Sequence, residues 1–370
     1  MRLQLALALV AIAAIPSPAG ADGSVSFRGV YYKERATRVM QPMLDGVFEV
    51  GERGLVTSHF LVDAITSAST SAGAADAVAF TENRFEGGVG YTHQLGELKL
   101  GGDAKYSTES DYKSIYAGVR GELELGQKNT VLGLGGGLGY DTITAGSGGG
   151  LAQPTIECEP GQAEQVECNL TTLSMYGSAT QLLSRHAVAS VSVDVARLSG
   201  YQSNPYRAAI AGDELISERH PTKRNRQAVA GLLRYYFPKT ETAVIGSYRY
   251  YLDSWKVHGH TPEVRLIQQI ANVADATFRY RYHTQDGAFF FRDRYDTADG
   301  VMSFVSDDVK LSSTSTHTIE AKLGIFGSAF DLEGKWGNAR FEGVLQYVVQ
   351  YNRFGNAIVA HVGLTVPLAY

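Results

Sequence analysis

Charged side chains recur at alternate positions of several apolar segments, and they are the residues best placed to do chemistry. Within 276–283, for example, Arg279 and Arg281 alternate with Phe278 and Tyr280. Alternate residues of a β-strand share one face. The same phase predicts five arginines on one polar face of four consecutive strands: Arg234, Arg249, Arg265, Arg279 and Arg281. It also predicts carboxylates with this phase on more distant strands: Glu122, Glu124, Asp141 and Asp194.

The chemistry of this polar face depends on whether water reaches it. A buried charge must be paired or hydrated. If the face lines a water-filled passage, opposed basic and acidic walls would orient polar or zwitterionic solutes and favour anions near the arginines. If the arginines instead neutralise nearby carboxylates, the same residues fill a closed interior. The sequence leaves both alternatives open.

Other reactive residue types are sparse. Cys158 and Cys168 enclose a glutamate-rich segment, and an oxidising compartment predicts a disulfide between them rather than a redox pair, because the spacing matches no redox motif. His258 and His260 are the only close histidine pair, with Glu263 as the nearest further ligand, and a solvated strand end is favoured over a metal site. No hydrolase, zinc-protease or phosphate-binding motif is present. We therefore expect no enzyme activity, no metal and no cofactor.

The composition points to many strands. The 370 residues include 41 Gly, 21 Tyr and only 10 Pro, with a net charge of −5. A nearly balanced charge disfavours nucleic-acid binding, and 44% hydrophobic residues exclude a disordered chain. Two cysteines exclude a disulfide scaffold. The run 133–139 alternates Gly with Leu134 and Leu138, which places it on a strand whose glycines leave room on the inner face.

The two ends of the chain predict the compartment. Residues 1–21 combine Arg2, an apolar run too short to span a bilayer, and a small-residue cleavage pattern, so they read as a signal peptide and 22–370 as the mature domain. The last strand places Val366, Leu368 and Tyr370 at every second position. This resembles the terminal signal by which barrel assembly machinery recognises bacterial outer-membrane barrels.

The strand pattern predicts the fold. The alternating segments are about 10–14 residues long, which suits tilted membrane strands better than soluble ones. Short turns alternate with long connections near 67–81, 143–170, 199–224 and 285–312, as in outer-membrane barrels. We predict an all-β, transmembrane, antiparallel up-and-down barrel of about 16 strands, with 14 possible, embedded in outer-membrane lipid. Tyr250, Trp255, Tyr280 and Tyr282 are expected to form an interfacial aromatic belt.

Several motifs resemble a family of uncharacterised bacterial outer-membrane barrel proteins, defined as a domain of unknown function. They occupy residues 31–35, 63–69, 204–207, 218–226 (E-x-x-P-x-x-R-x-R), 248–255 with His260-Thr261, and 278–282. Thr66-Ser67 and Gly259-His260 depart from the family pattern, where Ser-Gly and Ser-His are expected. The resemblance implies an outer-membrane location and supplies no substrate, catalytic residue or cofactor.

These observations favour a pore or channel for small polar solutes, since about sixteen strands are enough to enclose an aqueous passage. The alternative is a non-conducting surface barrel whose long outer loops bind a partner or scaffold a complex.

Overall fold

The computed structural model describes residues 22–35, 37–68, 79–145, 155–296 and 303–368, without the side chains of 66–68 and 79–81. The expected signal peptide, residues 1–21, and the terminal Tyr370 lie outside the described residues. In the described part of the chain, no helix is long and apolar enough to cross a membrane.

Sixteen strands form one closed antiparallel barrel. They are β1 (Gly23–Lys33), β2 (Thr37–Val50), β3 (Gly54–Ala68), β4 (Ala79–Leu95), β5 (Leu98–Thr108), β6 (Tyr112–Leu125), β7 (Thr130–Thr144), β8 (Glu167–Ser184), β9 (Ala187–Gly200), β12 (Lys223–Phe237), β13 (Thr242–Asp253), β14 (His258–Ile270), β15 (Ala274–Gln285), β16 (Thr314–Phe326), β17 (Arg340–Gln350) and β18 (Ala357–Pro367). Each strand pairs with its neighbour in sequence, β9 pairs with β12, and β1 closes the barrel against β18. The predicted architecture and the count of sixteen are confirmed.

The alternating sequence explains why the strands close in this way. On β6, Ile115, Val119 and Leu123 are exposed on the outside, while Tyr116 and Arg120 point inward. An exterior of exposed apolar side chains is unfavourable in water and favourable in hydrocarbon. With strands of 11 residues in β1 to 18 in β8, each strand is long enough to cross a bilayer at a tilt.

The length of a connection depends on the end of the barrel at which it lies. At the end where β1 begins and β18 ends, here called the turn end, most connections are tight, such as the two-residue turn at Gly96, whose φ of +64° suits glycine. At the opposite loop end, the connections after β7, β9 and β15 are long. The predicted sorting of long connections to one end is therefore present in the described residues.

One connection at the turn end departs from the pattern. Between β16 and β17, a 3₁₀ turn (Gly327–Phe330) and one turn of helix, α1 (Gly334–Gly337), fold back against the outside of the barrel seam. The partly buried Trp336 packs there on a cluster of buried side chains. The cluster consists of Val25, Phe27, Ala339, Val366 and Leu368. Val366 and Leu368, predicted as part of the assembly signal, are thus covered by the chain itself at this seam.

The long connections at the loop end are folded, and we call residues 201–222 together with the described parts of 286–313 the loop cap. The connection between β9 and β12 contains a hairpin that the sequence did not indicate. It pairs β10 (Ala208–Ala211) with β11 (Glu214–Ser217). Two clusters of buried side chains lie in or beside the loop cap. The first is Trp255, Val257, Ala288, Phe290 and Leu311, and the second is Ala209, Ala211, Tyr295 and Val305.

Candidate functional site

The inward face of the barrel is electrically polarised. Strands β12–β15 carry seven inward arginines against three carboxylates, Asp253, Glu263 and Asp275, by strand phase. Strands β1–β4 carry only Arg28 and Arg84 against five inward carboxylates. The strand order places these two groups on opposite sides of the barrel. A field therefore runs across the interior from the basic wall of β12–β15 to the acidic wall of β1–β4.

The acidic wall is a connected network. Asp45 lies 2.6 Å from the His59 ring, which lies 3.7 Å from Glu86. Arg84 Nε lies 2.9 Å from Asp63, and Arg84 Nη2 lies 3.9 Å from Glu86. Because two cations cannot neutralise this many carboxylates, the wall keeps a negative excess. None of these carboxylates was among the lumen-lining residues predicted from the sequence.

Part of the basic wall is neutralised internally. Glu263 lies 2.9 Å from both Arg265 and Arg281 and 3.5 Å from Arg279. Arg279 also contacts Glu320 at 2.5 Å. Arg265 and Arg279 are directly opposed across β14 and β15, so the shared Glu263 is what allows the two like charges to sit together. The sequence pattern located all three arginines but not their partners.

Three other arginines of the basic wall have no carboxylate partner in the described part of the chain. Arg249 is exposed inside the barrel, and its guanidinium carbon lies 5.6 Å from the centroid of the Tyr251 ring. Arg226 sits on the neighbouring strand, with its Nε buried and without a hydrogen-bond partner. Arg234 is exposed near the turn end of β12. Within the described residues, none of these three guanidiniums forms an ion pair.

The four predicted carboxylates do not form one wall. Glu122 pairs with Lys99 at 3.6 Å and Glu124 with Lys128 at 3.1 Å, both towards the turn end. Asp141 lies towards the loop end of β7. Only Asp194 lies midway along its strand, where it is exposed and has no ion-pair partner among the described residues.

Arg226, Arg249 and Asp194 meet in a central cavity of about 510 Å³. Asp103 and Arg120 also line it, as a pair 3.0 Å apart. This volume falls in the range of roughly 300–1,000 Å³ typical of small-molecule sites. The central cavity therefore offers two free cations and one free anion to a solute.

Tyr116, Tyr176 and Tyr251 also line the central cavity, and glycines on β7 make space for the first two. A Cβ on Gly137 would lie 2.3 Å from the Tyr116 hydroxyl, and one on Gly135 would lie 2.4 Å from the Tyr176 ring. Both rings therefore lie flat over the inward glycines of β7. The sequence indicated inner room at 133–139, and the structure shows which side chains occupy it.

Two of the predicted family motifs, 218–226 and 248–255, contact each other at the loop end beside the central cavity. Arg224 donates to Asp253 through Nε at 2.8 Å and lies over the Trp255 ring at 4.0 Å. Asp253 also accepts from the backbone N–H groups of Trp255 and Val257. Trp255 is 2% exposed, so its predicted place in an interfacial belt is wrong: it anchors the loop cap. Tyr250, Tyr280 and Tyr282 do face outward near this end.

A buried polar network holds the loop cap together. The Ser306 hydroxyl donates to Glu218 at 2.8 Å and lies 2.9 Å from His220 Nε2. Burial lowers the pKa of His220, against the opposing effect of Glu218. Arg207 reaches Asp308 at 3.0 Å.

The network superficially contains the residue types of a hydrolase triad. In a working triad the acid bonds the histidine nitrogen that faces away from the serine. Here that nitrogen, His220 Nδ1, lies 2.9 Å from the Gln202 carbonyl oxygen, and Glu218 contacts the serine. Ser306 is also fully buried. The arrangement is suited to packing loops and not to attacking a substrate.

Two further predictions concern the cysteines and histidines. Cys158 and Cys168 form a disulfide, as predicted, which ties the connection after β7 to the start of β8. His258 and His260 point outward, whereas Glu263 points inward. Because alternate faces separate them, Glu263 cannot complete a metal site with this pair.

A closed barrel with an apolar exterior and a charged interior belongs to the class of outer-membrane barrel proteins. The chain belongs to the family described as protein of unknown function (DUF3570), which matches residues 77–326. This agrees with the resemblance seen in the motifs. A search of curated proteins finds no match.

Several solved structures are similar to the chain. OccK3 (OpdO) of Pseudomonas aeruginosa is 9% identical, with 94% of this chain and 95% of that chain covered and a TM-score of 0.46. OccD3 (OpdP) of the same organism is 7% identical, with coverages of 95% and 92% and a TM-score of 0.49. A BenF-like porin from Pseudomonas fluorescens Pf-5 is 8% identical, with coverages of 95% and 99% and a TM-score of 0.48.

Proposed function

We propose that this protein is a bacterial outer-membrane channel that passes small polar solutes through a hydrated, polarised interior. The observation that carries the proposal is the set of unpaired charges in the central cavity. An isolated charge removed from water costs far more free energy than a barrel could tolerate. Arg249 and Asp194 are exposed into the interior without ion-pair partners in the described residues, so water must reach them. A hydrated interior within sixteen strands is a passage.

The outer surface supports the membrane location. Large apolar side chains such as Val119, Leu134 and Val362 are each more than 60% exposed on the outside. Tyr248 and Tyr280 hydrogen-bond outward-facing His260 and His317 near the loop end, which suits an interfacial girdle. Lipid is therefore the partner of the exterior, and a small polar solute is the partner of the interior.

The test is electrical recording of the purified, detergent-refolded protein in planar bilayers. Stepwise conductance is expected, with ion selectivity that changes when inward charges are altered. A heat-modifiable band on gel electrophoresis would verify that the barrel is folded. A folded barrel that gives no conductance would refute the channel.

A second candidate is favoured by the loop cap. The loop cap contains its own buried clusters, and Arg353, in the connection between β17 and β18, reaches Asp307 at 2.6 Å. Loops so well packed could instead close the barrel and present a rigid surface to a partner. This reading predicts no conductance in the intact protein and conductance only after the loop cap is removed.

The ends of the chain fit an exported barrel. Residues 1–21 would be removed as a signal peptide, and Val366, Leu368 and Tyr370 would be read by the barrel assembly machinery. Mass spectrometry of the membrane fraction should give an N-terminus at Asp22. Replacing Tyr370 with a charged residue should reduce assembled barrel, and unchanged assembly would remove that residue from the signal.

A further inference from the structure

We propose that the central cavity binds a small zwitterion that carries an aromatic ring, of the type represented by an aromatic amino acid. The inference rests on the proposed channel function, because the solute reaches this site through the barrel. The proposal names the class of solute that the interior binds most tightly.

The charges set the first requirement. Arg226 and Arg249 offer guanidiniums, and Asp194 offers a carboxylate, without ion-pair partners in the described chain. Asp194 opposes Ala228 across β9 and β12, which places it diagonally next to Arg226. A solute with a single charge could pair with the arginines or with Asp194, but not with both. A solute with a carboxylate and an ammonium group a few atoms apart can pair with both. Its carboxylate would bind a guanidinium and its ammonium group would bind Asp194 through charge-assisted hydrogen bonds.

The tyrosines set the second requirement. Tyr116 and Tyr176 are held flat against β7 by the glycines beneath them, so each presents a ring face. Tyr251 adds a third ring to the lining. Aromatic rings packed in offset or edge-to-face geometry are stabilised beyond their buried area. A planar ring on the solute is the group that this lining fits.

The size and position agree with such a solute. A cavity of about 510 Å³ holds an amino acid with several accompanying waters. The transverse field between the basic wall and the acidic wall would align the solute dipole across the barrel.

The experiment measures binding of L-phenylalanine to the full-length, detergent-purified barrel by saturation-transfer NMR. The comparison probes are alanine, which lacks the ring, and phenylacetamide, which lacks both charges. Phenylalanine should bind most tightly. R249Q and R226Q should each weaken its binding about tenfold or more, because each removes a charged hydrogen bond. D194N should reduce the preference for phenylalanine over benzoate.

The matched control is R28Q, which removes an inward arginine from the opposite wall, outside the central cavity. It should leave phenylalanine binding unchanged. Equal binding of phenylalanine and phenylacetamide, or an R249Q barrel that binds as the parent does, would overturn the inference. Conductance without phenylalanine binding would overturn only this inference, whereas binding without conductance would overturn only the proposed channel.

Discussion

Replacing Arg249 should shift the ion selectivity of the barrel towards cations. Arg249 is exposed inside the barrel, lies midway along β13 and has no ion-pair partner among the described residues. Arginine acts as a fixed positive charge in proteins. Arg249→Gln therefore removes one fixed positive charge from the wall and leaves no carboxylate stranded.

The magnitude follows from the charge alone. A unit charge about 5 Å from a passing ion in water contributes about 0.8 kcal/mol, and screening at roughly 0.1 M salt reduces this to about 0.5 kcal/mol. The loss acts with opposite sign on anions and cations. The free-energy difference between their permeation therefore changes by about 1 kcal/mol, or about fivefold in the permeability ratio.

The assay is the reversal potential of the reconstituted channel in a salt gradient. Arg53→Gln is the control, since it makes the same change in charge on a turn outside the barrel wall. We expect no more than a small shift for the control. A shift of less than about twofold in a folded, conducting Arg249→Gln barrel, or equal shifts in both variants, would refute a pore-lining role for Arg249.

Three further predictions follow from the contacts. Arg279→Gln should lower the free energy of unfolding in urea by about 1.5–3 kcal/mol, because Glu320 loses its charged partner, and an unchanged urea midpoint would contradict this. Gly137→Ala should weaken phenylalanine binding by displacing the Tyr116 ring, whereas Gly139→Ala, whose Cβ meets only ordinary contacts, should not. Acidification below about pH 6.5 should loosen the loop cap and increase its cleavage by protease, and His220→Gln should abolish that pH dependence.

The sign of the pH effect follows from burial of His220. Burial lowers its pKa below the unfolded value of about 6.5, so the unfolded cap takes up a proton first as the pH falls. The stabilisation is complete above about pH 6.5 and is lost as the pH falls through the lowered pKa. Glu218 and Asp308 oppose the shift, while Arg207 adds to it. Cleavage that stays constant from pH 7.5 to pH 5 would contradict the reasoning.

The sequence predicted the barrel because strand phase is a local property. Alternation of apolar and polar residues decides which face each side chain takes, and it placed Arg249 and Arg279 inward without knowledge of their neighbours. Alternation could not distinguish the unpaired Arg249 from the ion-paired Arg279. Whether an inward arginine is free depends on the register between strands, which sets Glu263 beside Arg281 and leaves Arg249 opposite Thr261.

The loop cap was beyond sequence reasoning for a different reason. Its contacts join connections that are distant in the chain, such as Glu218 with Ser306, and periodicity carries no signal for such pairs. The predicted family motif at 218–226 contains the cap residues Glu218 and His220 together with Arg224, yet its spacing alone gave them no role.

The free and neutralised charges together explain how one interior can be both stable and useful. The Glu263 cluster fixes its arginines in place, so the barrel wall there is rigid and close to neutral. At the central cavity, the unpaired groups Arg226, Arg249 and Asp194 then act on a solute together with the field between the two walls. Because these three share one cavity with aromatic ring faces, selectivity in this barrel would depend on the match to a local site and only weakly on the total charge of the wall.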